Sequence, residues 1–468
     1  MDAANCGILS LVPAFGFLIF ALATRKCICA VILSALSGYI IYYKGDFLQP
    51  CIDAFMDSTT DWDNNYIIVI CLLFGCLVQL LRESKGALAI GEAAKKYVKS
   101  EKQALILTWL CGIVIFIDDY LSILVTANTV MPLTDQRKTP REMLCYIINT
   151  TSAPVCIIIP ISAWVVFFSG VFEKEEAAKV LGSSGTEIYY SIMPYFFYPF
   201  LCVIFVPLVI LGIIPKMGGI KKAYQRVADT GKLWPDSSAM MNADSSGEAM
   251  GAISDNKEYE EKEVKPHLWA FLAPMAVVIA VTIWQDILWG VVAGIAACFI
   301  LFIPTRILRF GQFCDACYAG LVDMLYIAVI LATSLFYRES MLLLGLPDYI
   351  IEVAGPFMSA HMLPATVFIV VALVCFATGS IWSIPAVTTP IVVPLAAAVG
   401  ASLPLTLGAL VSAAIMGAQG CFYSDVTLLS ASATRVNNVD YAISQLPYIL
   451  ITTGVSFVAY VIAGFIMS

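Results

Sequence analysis

Two adjacent aspartates, Asp118 and Asp119, lie in the middle of an apolar run, residues 105–133. No other charged residue falls between Lys102 and Asp135. A carboxylate at bilayer depth costs roughly 2.5–3.5 kcal/mol on insertion scales, so such residues are rare and functional by default. Because neighbouring carboxylates cannot both ionise cheaply, one of them can hold a proton or a sodium ion. The pair predicts a cation-coupling site. The pattern does not show which of the two, Asp118 or Asp119, binds the ion or proton.

Hydroxyl and amide side chains accompany prolines in two other apolar segments, 149–164 and 378–394. Proline leaves a backbone carbonyl oxygen free, and hard cations bind carbonyl and hydroxyl oxygens. We interpret both segments as broken helices or re-entrant loops, with ordinary proline-kinked helices as the alternative. The predicted breaks are at Pro154, Pro160, Gly379, Pro385 and Pro390. The candidate ligands are Asn149, Thr150, Thr151, Ser152, Ser380, Thr388 and Thr389.

A third acid, Asp425, lies between two apolar stretches with Ser424 and Thr427 beside it. Two nearby glycines permit the helix to unwind or another backbone to approach closely. The alternative is that Asp425 only caps a short helix at a membrane interface. We include Asp425 with Asp118 and Asp119 in a candidate sodium site, and Ser424 and Thr427 as candidate ligands.

The composition is that of a membrane protein. Hydrophobic residues make up 60% of the 468 residues and charged residues 13%, whereas soluble domains carry about 25% charged residues. The chain has room for about ten or more spans, which predicts an all-α polytopic fold in contact with the lipid bilayer. With no basic stripe, nucleic-acid binding is not expected. With two histidines, neither a zinc site nor a nucleophile–histidine pair is expected, so the protein is not predicted to be an enzyme.

One long polar stretch divides the chain. Residues 216–265 contain eight Lys/Arg and nine Asp/Glu. We therefore predict a first transmembrane repeat over 1–215, a linker over 216–266 and a second transmembrane repeat over 267–468. The apolar segments are 8–24, 27–43, 66–81, 103–134, 144–171, 188–214, 267–284, 287–304, 319–336, 346–358, 362–400, 404–433 and 441–467.

The charges of the loops predict an orientation. Basic loops flank residues 103–134, and the linker also begins with basic residues. The positive-inside rule places these loops and the linker in the cytoplasm of a multi-pass protein of the cell (plasma or inner) membrane. Segment 103–134 must then enter and return, which predicts a hairpin with the aspartate pair near its tip.

The second half repeats the order of the first from the opposite side of the membrane. Two spans, a further span, two broken segments and a last span follow the linker. The same order with opposite polarity predicts two inverted repeats with re-entrant hairpins and broken helices. Such repeats place the substrate site near the midplane, at the interface between them.

These motifs resemble the NhaC-type Na+/H+ antiporter family, which belongs to the ion-transporter superfamily. The first-half matches are Asp118, Asp119, Tyr120, Asn128, Pro132, Thr134, Asp135, Arg141, Glu142, Thr151, Ala153, Pro154, Ile161, Ser162 and Trp164. The second-half matches are Ser424, Asp425, Thr427, Ser430, Asp440, Gln445, Leu446, Pro447 and Tyr448. The resemblance implies a secondary active transporter with alternating access, a homodimer, and sodium as the coupling ion without another cofactor. It also adds Asn128 to the candidate ligands.

Two carboxylates of the family pattern are absent, because Asn149 and Ala418 stand at their positions. Fewer negative ligands favour an alternative, the sodium- or proton-coupled transport of an amino acid or of a small carboxylate such as malate or lactate. A rival of another class is an ion channel or a membrane sensor. The partner in each case is a small ion or a small-molecule solute.

Overall fold

The computed structural model describes residues 6–24, 26–60, 62–89, 98–242, 267–354, 356, 358–379 and 381–467. The regular elements in these ranges are α-helices and short 3-10 turns. The α-helices are α1 (Leu11–Thr24), α2 (Cys27–Tyr43), α3 (Leu48–Thr60), α4 (Trp62–Glu83), α5 (Glu101–Val114), α6 (Asp119–Gln136), α7 (Arg141–Ile158), α8 (Ala163–Glu173), α9 (Gly185–Ile192), α10 (Phe197–Leu211), α11 (Gly218–Thr230), α12 (Ala239–Asn242), α13 (Leu268–Trp284), α14 (Ile287–Phe302), α15 (Phe310–Leu343), α16 (Leu346–Ala354), α17 (Leu363–Thr378), α18 (Ser383–Val399), α19 (Leu403–Gly420), α20 (Asp425–Ala433) and α21 (Asn438–Met467).

Four helices in the described ranges are long and apolar enough to cross a membrane singly. Two bent pairs, α7–α8 and the segment around α9–α10, raise the number to six, with bends of 50° and 51°. From its length, at roughly 20 residues for each span, the chain was predicted to have room for about ten or more spans. The described ranges also contain five apolar helices of 10–17 residues, which are shorter than a span of about 20 residues.

The predicted hairpin at residues 103–134 is present. The helices α5 and α6 are joined by residues 115–118 and pack against each other. Ser100 begins α5 with a capping box, in which its hydroxyl accepts from the backbone N–H of Gln103. The Asp118 carboxylate accepts from the backbone N–H of Leu121 and begins α6. The aspartate pair therefore lies at the tip of this hairpin, as predicted.

The helix breaks follow glycine and extended backbone more than they follow proline. Pro154 lies inside α7, and the break comes after Ile158, where Pro160 falls between α7 and α8. The second predicted break is real but precedes its prolines. Gly379 ends α17 with a positive φ of 68°, whereas Pro385 lies in the first turn of α18, where a missing N–H is tolerated. Pro390 does not interrupt α18, so the predicted breaks at Pro154, Pro385 and Pro390 are wrong.

The same order of elements occurs twice. A hairpin (α5–α6), a broken helix (α7–α8) and the bent α9–α10 are followed in the second half by a hairpin (α17–α18), a broken helix (α19–α20) and the long α21. The first hairpin packs on α20 of the second half. In turn, α18 of the second hairpin packs on α8 of the first half. These reciprocal contacts place the two hairpin tips and the two helix breaks in one central region.

The remaining helices form a support around the long α15, which packs on α2 and α4. At the crossing of α4 and α15, a methyl group added to Gly75 would overlap the backbone carbonyl oxygen of Gly320, and the reverse also holds. The two glycines therefore allow direct backbone contact, as is common between membrane helices.

The segment predicted as a linker is folded over residues 216–242. Helix α11 buries Ile220, Ala223 and Val227, one face of the helix, and packs on α21. The Tyr224 hydroxyl donates to Glu101 of α5 over 2.6 Å. This part of the segment therefore contacts both halves of the chain. Residues 243–266 lie outside the described residues, and the boundaries and cytoplasmic location of the linker stay predictions.

One arginine–carboxylate pair and one cation–π contact fasten this segment to the first half. Arg226 donates to both oxygens of Glu142, over 2.7 and 2.9 Å. Arg141 donates to both oxygens of Asp135, over 3.2 and 2.7 Å, and its guanidinium lies 4.7 Å from the Trp234 ring centroid. The Arg141–Asp135 pair joins the start of α7 to the end of α6, and the contacts of Glu142 with Arg226 and of Arg141 with Trp234 join the start of α7 to the chain that follows α10.

We expect Arg226→Gln to lower the free energy of unfolding by roughly 3 kcal/mol, because it leaves the Glu142 carboxylate buried without its charged partner. Thermal unfolding of the purified protein in detergent would measure the loss. Lys232→Gln is the matched control, since Lys232 pairs with Asp236 on the surface and exposed pairs contribute little. Equal unfolding midpoints for the two variants would contradict the assignment.

Candidate cation-binding site

The aspartate pair is buried at the start of α6. Asp118 and Asp119 are 4% and 2% exposed. Asp118 is the N-cap residue, and Asp119 begins the helix, where the helix dipole stabilises negative charge. The Asp119 Oδ2 atom is buried and has no hydrogen-bond partner among the described residues. An available carboxylate oxygen therefore faces the protein interior at the hairpin tip.

Asp425 of the second half meets the first hairpin. The Tyr120 hydroxyl, next to Asp119, donates to Asp425 Oδ2. The other Asp425 oxygen accepts from the Val426 backbone N–H at the start of α20. Asp119 interacts electrostatically with both Asp118 and Asp425. The three acids, predicted from two separate apolar segments, thus lie in one region of the fold.

A pair of tryptophans joins the second hairpin to this region. The rings of Trp164 and Trp382 are stacked, with centroids 4.1 Å apart and planes 17° apart. Trp382 precedes α18 and its side chain also approaches the Asp425 carboxylate. Trp164 Nε1 is buried and has no partner among the described residues. Asp425 therefore lies beside residues of both hairpin tips.

A network of amide side chains connects the two broken helices. The Gln419 amide donates to Thr150 over 2.8 Å and accepts from the Tyr198 hydroxyl over 2.8 Å. The Gln445 amide donates to the Gln419 backbone carbonyl over 2.7 Å. Asn149 donates to Gln445 over 3.3 Å, and its own Oδ1 is buried without a partner among the described residues. These groups are neutral, and Asn149 is at one of the two positions where the family pattern that the sequence resembles has an acid.

The other predicted ligands differ in where the structure places them. Four hydroxyls are buried or half-buried and donate to a carbonyl of the preceding turn: Thr151, Ser152, Thr388 and Thr389. Ser424 and Thr427 are buried at the break before α20, where both hydroxyls approach the Ala418 carbonyl. Asn128 is exposed on α6, so the structure does not bring it to the acids. Ser380 lies outside the described residues.

Several residues at the site were not selected from the sequence. Gln419, Gln445 and Tyr198 belong to apolar helices, and an uncharged polar residue in a predicted span was the available signal. Asp118 interacts electrostatically with Arg82, at the end of α4, and with Asp323 in α15. The hairpin tip therefore lies close to charged residues of the supporting helices.

Among the residues that the structure describes, no three His, Cys, Asp or Glu side chains are grouped as a metal-binding cluster. Coordination of a cation by these acids would therefore have to include hydroxyl, amide or carbonyl oxygens. The sodium site at Asp118, Asp119 and Asp425 stays a prediction.

The comparison with known families decides the class of protein. A sequence model described as the Na+/H+ antiporter family matches residues 155–465. The chain belongs to the Na+/H+ antiporter family. The matched residues include Asp425, the second hairpin and the amides Gln419 and Gln445, while the aspartate pair precedes them. Family membership and the helical fold make the protein a secondary transporter that crosses a membrane several times.

One relative matches this chain in sequence over most of its length, and two solved structures match its fold. An uncharacterized protein of Haemophilus influenzae is 23% identical over 500 aligned positions, which cover 98% of this chain and 91% of the relative. The YdaH transporter of Alcanivorax borkumensis superposes with a TM-score of 0.59 at 12% identity, covering 97% of this chain and 99% of YdaH. MtrF of Neisseria gonorrhoeae, from a class of antimetabolite efflux pumps, superposes with a TM-score of 0.61 at 14% identity, covering 97% and 96%. At these identities the two structures support the fold alone.

Proposed function

We propose that this transporter exchanges sodium for protons, and that Asp118, Asp119 and Asp425 carry the coupling. The observation that supports this is the meeting of three acids from two halves of the chain at the break points of their helices. In the described part of the chain, none of the three carboxylates forms an ion pair within salt-bridge distance. Their charge therefore needs a bound cation or a proton.

The physical argument is one of mutual exclusion. Burying an unpaired carboxylate costs several kcal/mol. Neutralising its charge therefore stabilises the site. A sodium ion and a proton satisfy this requirement equally well but cannot occupy one carboxylate oxygen together. When the two halves move relative to each other, the contacts of Asp425 with Tyr120 and Trp382 change with them. Exchange then follows, because the site changes its access from one side of the membrane to the other only when a sodium ion or a proton has neutralised it.

A sodium pulse applied to proteoliposomes that contain a pH-sensitive dye tests this proposal. We expect sodium that enters the liposomes to drive protons out of them. The dye should then report a pH change that an ionophore abolishes. A channel would conduct sodium without proton counterflow. Lithium, which is a small hard cation, is expected to replace sodium more effectively than potassium.

The neutral amide network supports a second candidate function, the cation-coupled transport of an amino acid or a small carboxylate. Asn149 and Gln419 offer both donors and acceptors, and such groups recognise an uncharged or zwitterionic solute better than a bare cation. A thermal-shift screen of the purified protein against sodium, lithium, amino acids and hydroxy acids separates the candidates, because a ligand of the native state raises the unfolding temperature. A shift that requires both sodium and an organic solute favours this second function.

A further inference from the structure

One face of α6 carries four buried oxygen atoms without a hydrogen-bond partner among the described residues. They are Asp119 Oδ2, Ser122 Oγ, Thr126 Oγ1 and Thr129 Oγ1. The four residues are 2%, 0%, 1% and 5% exposed. At 3.6 residues per turn and a rise of 1.5 Å, their spacing places them within an arc of roughly 80° over a length of about 15 Å. They form a continuous polar stripe that begins at the candidate site.

Many buried hydroxyls on other helices bond to their own backbone, although those of Ser34, Ser169, Thr282, Ser334, Ser430 and Thr453, like those of the stripe, have no partner among the described residues. Thr108 of α5 donates to the Ala104 carbonyl over 2.9 Å, and Thr406 of α19 donates to Ser402 over 2.8 Å. This bond to the preceding turn is the usual way in which a Ser or Thr is satisfied inside an apolar helix. Even Thr134, further along α6, donates to the Met131 carbonyl over 2.9 Å. The three stripe hydroxyls, unlike those of Thr108, Thr134 and Thr406, form no bond to the preceding turn.

The neighbouring helices also contribute oxygen atoms. Helix α6 packs on α7 and α20, and each of these carries a buried oxygen without a partner in the described chain, Asn149 Oδ1 and Ser430 Oγ. The corresponding helix of the second hairpin, α18, differs, because Thr388 and Thr389 both bond to their own backbone. The stripe is therefore a property of one repeat.

We propose that Ser122, Thr126 and Thr129 line the path by which the coupling cation reaches Asp119 from the C-terminal end of α6. The occupants are water and a partly dehydrated sodium ion, for which hydroxyl oxygens replace some of the water ligands. Neutral hydroxyls suit a path, since conduction requires ligands that bind strongly enough to admit an ion and weakly enough to release it. The inference rests on the proposed role of Asp119.

Thr126→Val tests the path, because valine keeps the shape of threonine and removes the hydroxyl. We expect the initial rate of sodium-driven exchange to fall roughly tenfold. This is the effect of losing one contact with the free energy of a hydrogen bond in the rate-limiting step. Sodium affinity, measured from the sodium dependence of the unfolding temperature, is expected to stay at the wild-type value. Thr108→Val is the matched control, since it removes a buried hydroxyl that bonds to its own helix, and it is expected to transport at the wild-type rate.

A wild-type rate in Thr126→Val would overturn the proposal. A parallel loss of rate and sodium affinity would also overturn it, because the hydroxyl would then be a ligand of the bound ion. Failure of the path is distinguishable from failure of the proposed function. If Asp119→Asn abolishes exchange while Thr126→Val does not alter it, Asp119 carries the coupling and the cation arrives by another route.

Cysteine substitution provides a second measurement. We expect Ser122→Cys and Thr129→Cys to react with aminoethyl methanethiosulfonate, a small cationic thiol reagent, above the labelling of the wild-type cysteines. Ala127→Cys is the control, because Ala127 is 0% exposed and lies on α6 roughly 80° away from Asp119 on the side opposite to the stripe. Equal labelling of all three variants, or no labelling of Ser122→Cys and Thr129→Cys, would contradict a cation-accessible path.

Discussion

Asp119→Asn is expected to lower sodium-driven proton exchange by roughly 100-fold or more. The substitution keeps the size of the side chain but removes the one acid whose Oδ2 is buried and unpartnered in the described structure. Losing one partner of a buried charge interaction costs about 3–5 kcal/mol, and 1.4 kcal/mol corresponds to a factor of about ten. The measurement is the initial rate of dye response in proteoliposomes after a sodium pulse.

The neutral variant is also expected to fold, since it removes a costly buried charge. Size-exclusion chromatography in detergent and an unfolding midpoint at or above that of the wild type would show this. Asp57→Asn is the matched control, because Asp57 is exposed on α3; its exchange rate should equal the wild-type rate. Wild-type exchange in Asp119→Asn would remove this residue from the mechanism and leave Asp118 as the candidate of the pair.

Asp425→Asn is expected to have an effect of the same size, because Asp425 is the acid that the second half contributes. Tyr120→Phe is expected to lower the rate less, by roughly tenfold, since a hydrogen bond to a charged group contributes about 1.5–3 kcal/mol. The two variants together separate the charge of Asp425 from its orientation. Exchange rates and the sodium dependence of the unfolding temperature would be measured for each.

Tyr318→Phe is the control for loss of a tyrosine hydroxyl, because Tyr318 is 70% exposed. In the double variant Tyr120→Phe/Asp425→Asn, we expect a rate close to that of Asp425→Asn alone. The hydrogen bond between the two side chains is already lost in the single variant and cannot be lost a second time. Fully additive losses would show that Tyr120 acts independently of Asp425.

Much of the fold was predictable, because the signals are local. Apolar runs of membrane length, the charged stretch that divides the halves and the hairpin around Asp118 follow from hydropathy and loop charges. The exact breaks were less predictable. Pro385 and Pro390 were expected to break the helix along with Gly379, yet only Gly379 ends α17, because a helix tolerates proline in its first turn but ends readily at a residue with positive φ.

The candidate site was predictable by residue type and only partly by arrangement. The three acids were identified, since a carboxylate in an apolar segment is conspicuous. The amides of Gln419 and Gln445 were not selected, because a neutral polar side chain in a span has no comparable cost. Residues 216–242 were predicted as part of a linker, yet they pack on both halves through Arg226 and α11, contacts that charge composition does not reveal.

The sequence by itself determined the helical membrane fold and the presence of three acids in its apolar segments, because each of these depends on hydropathy or charge within a short window. Only the tertiary structure decided which of these residues meet. Tyr120 and Asp425 are separated by 305 residues and Gln419 and Thr150 by 269, so their contacts depend on how the two repeats pack. The unpaired hydroxyls of α6 were likewise invisible in the sequence, since only the rotamer of each side chain and the packing around it show whether a buried hydroxyl bonds to its own helix.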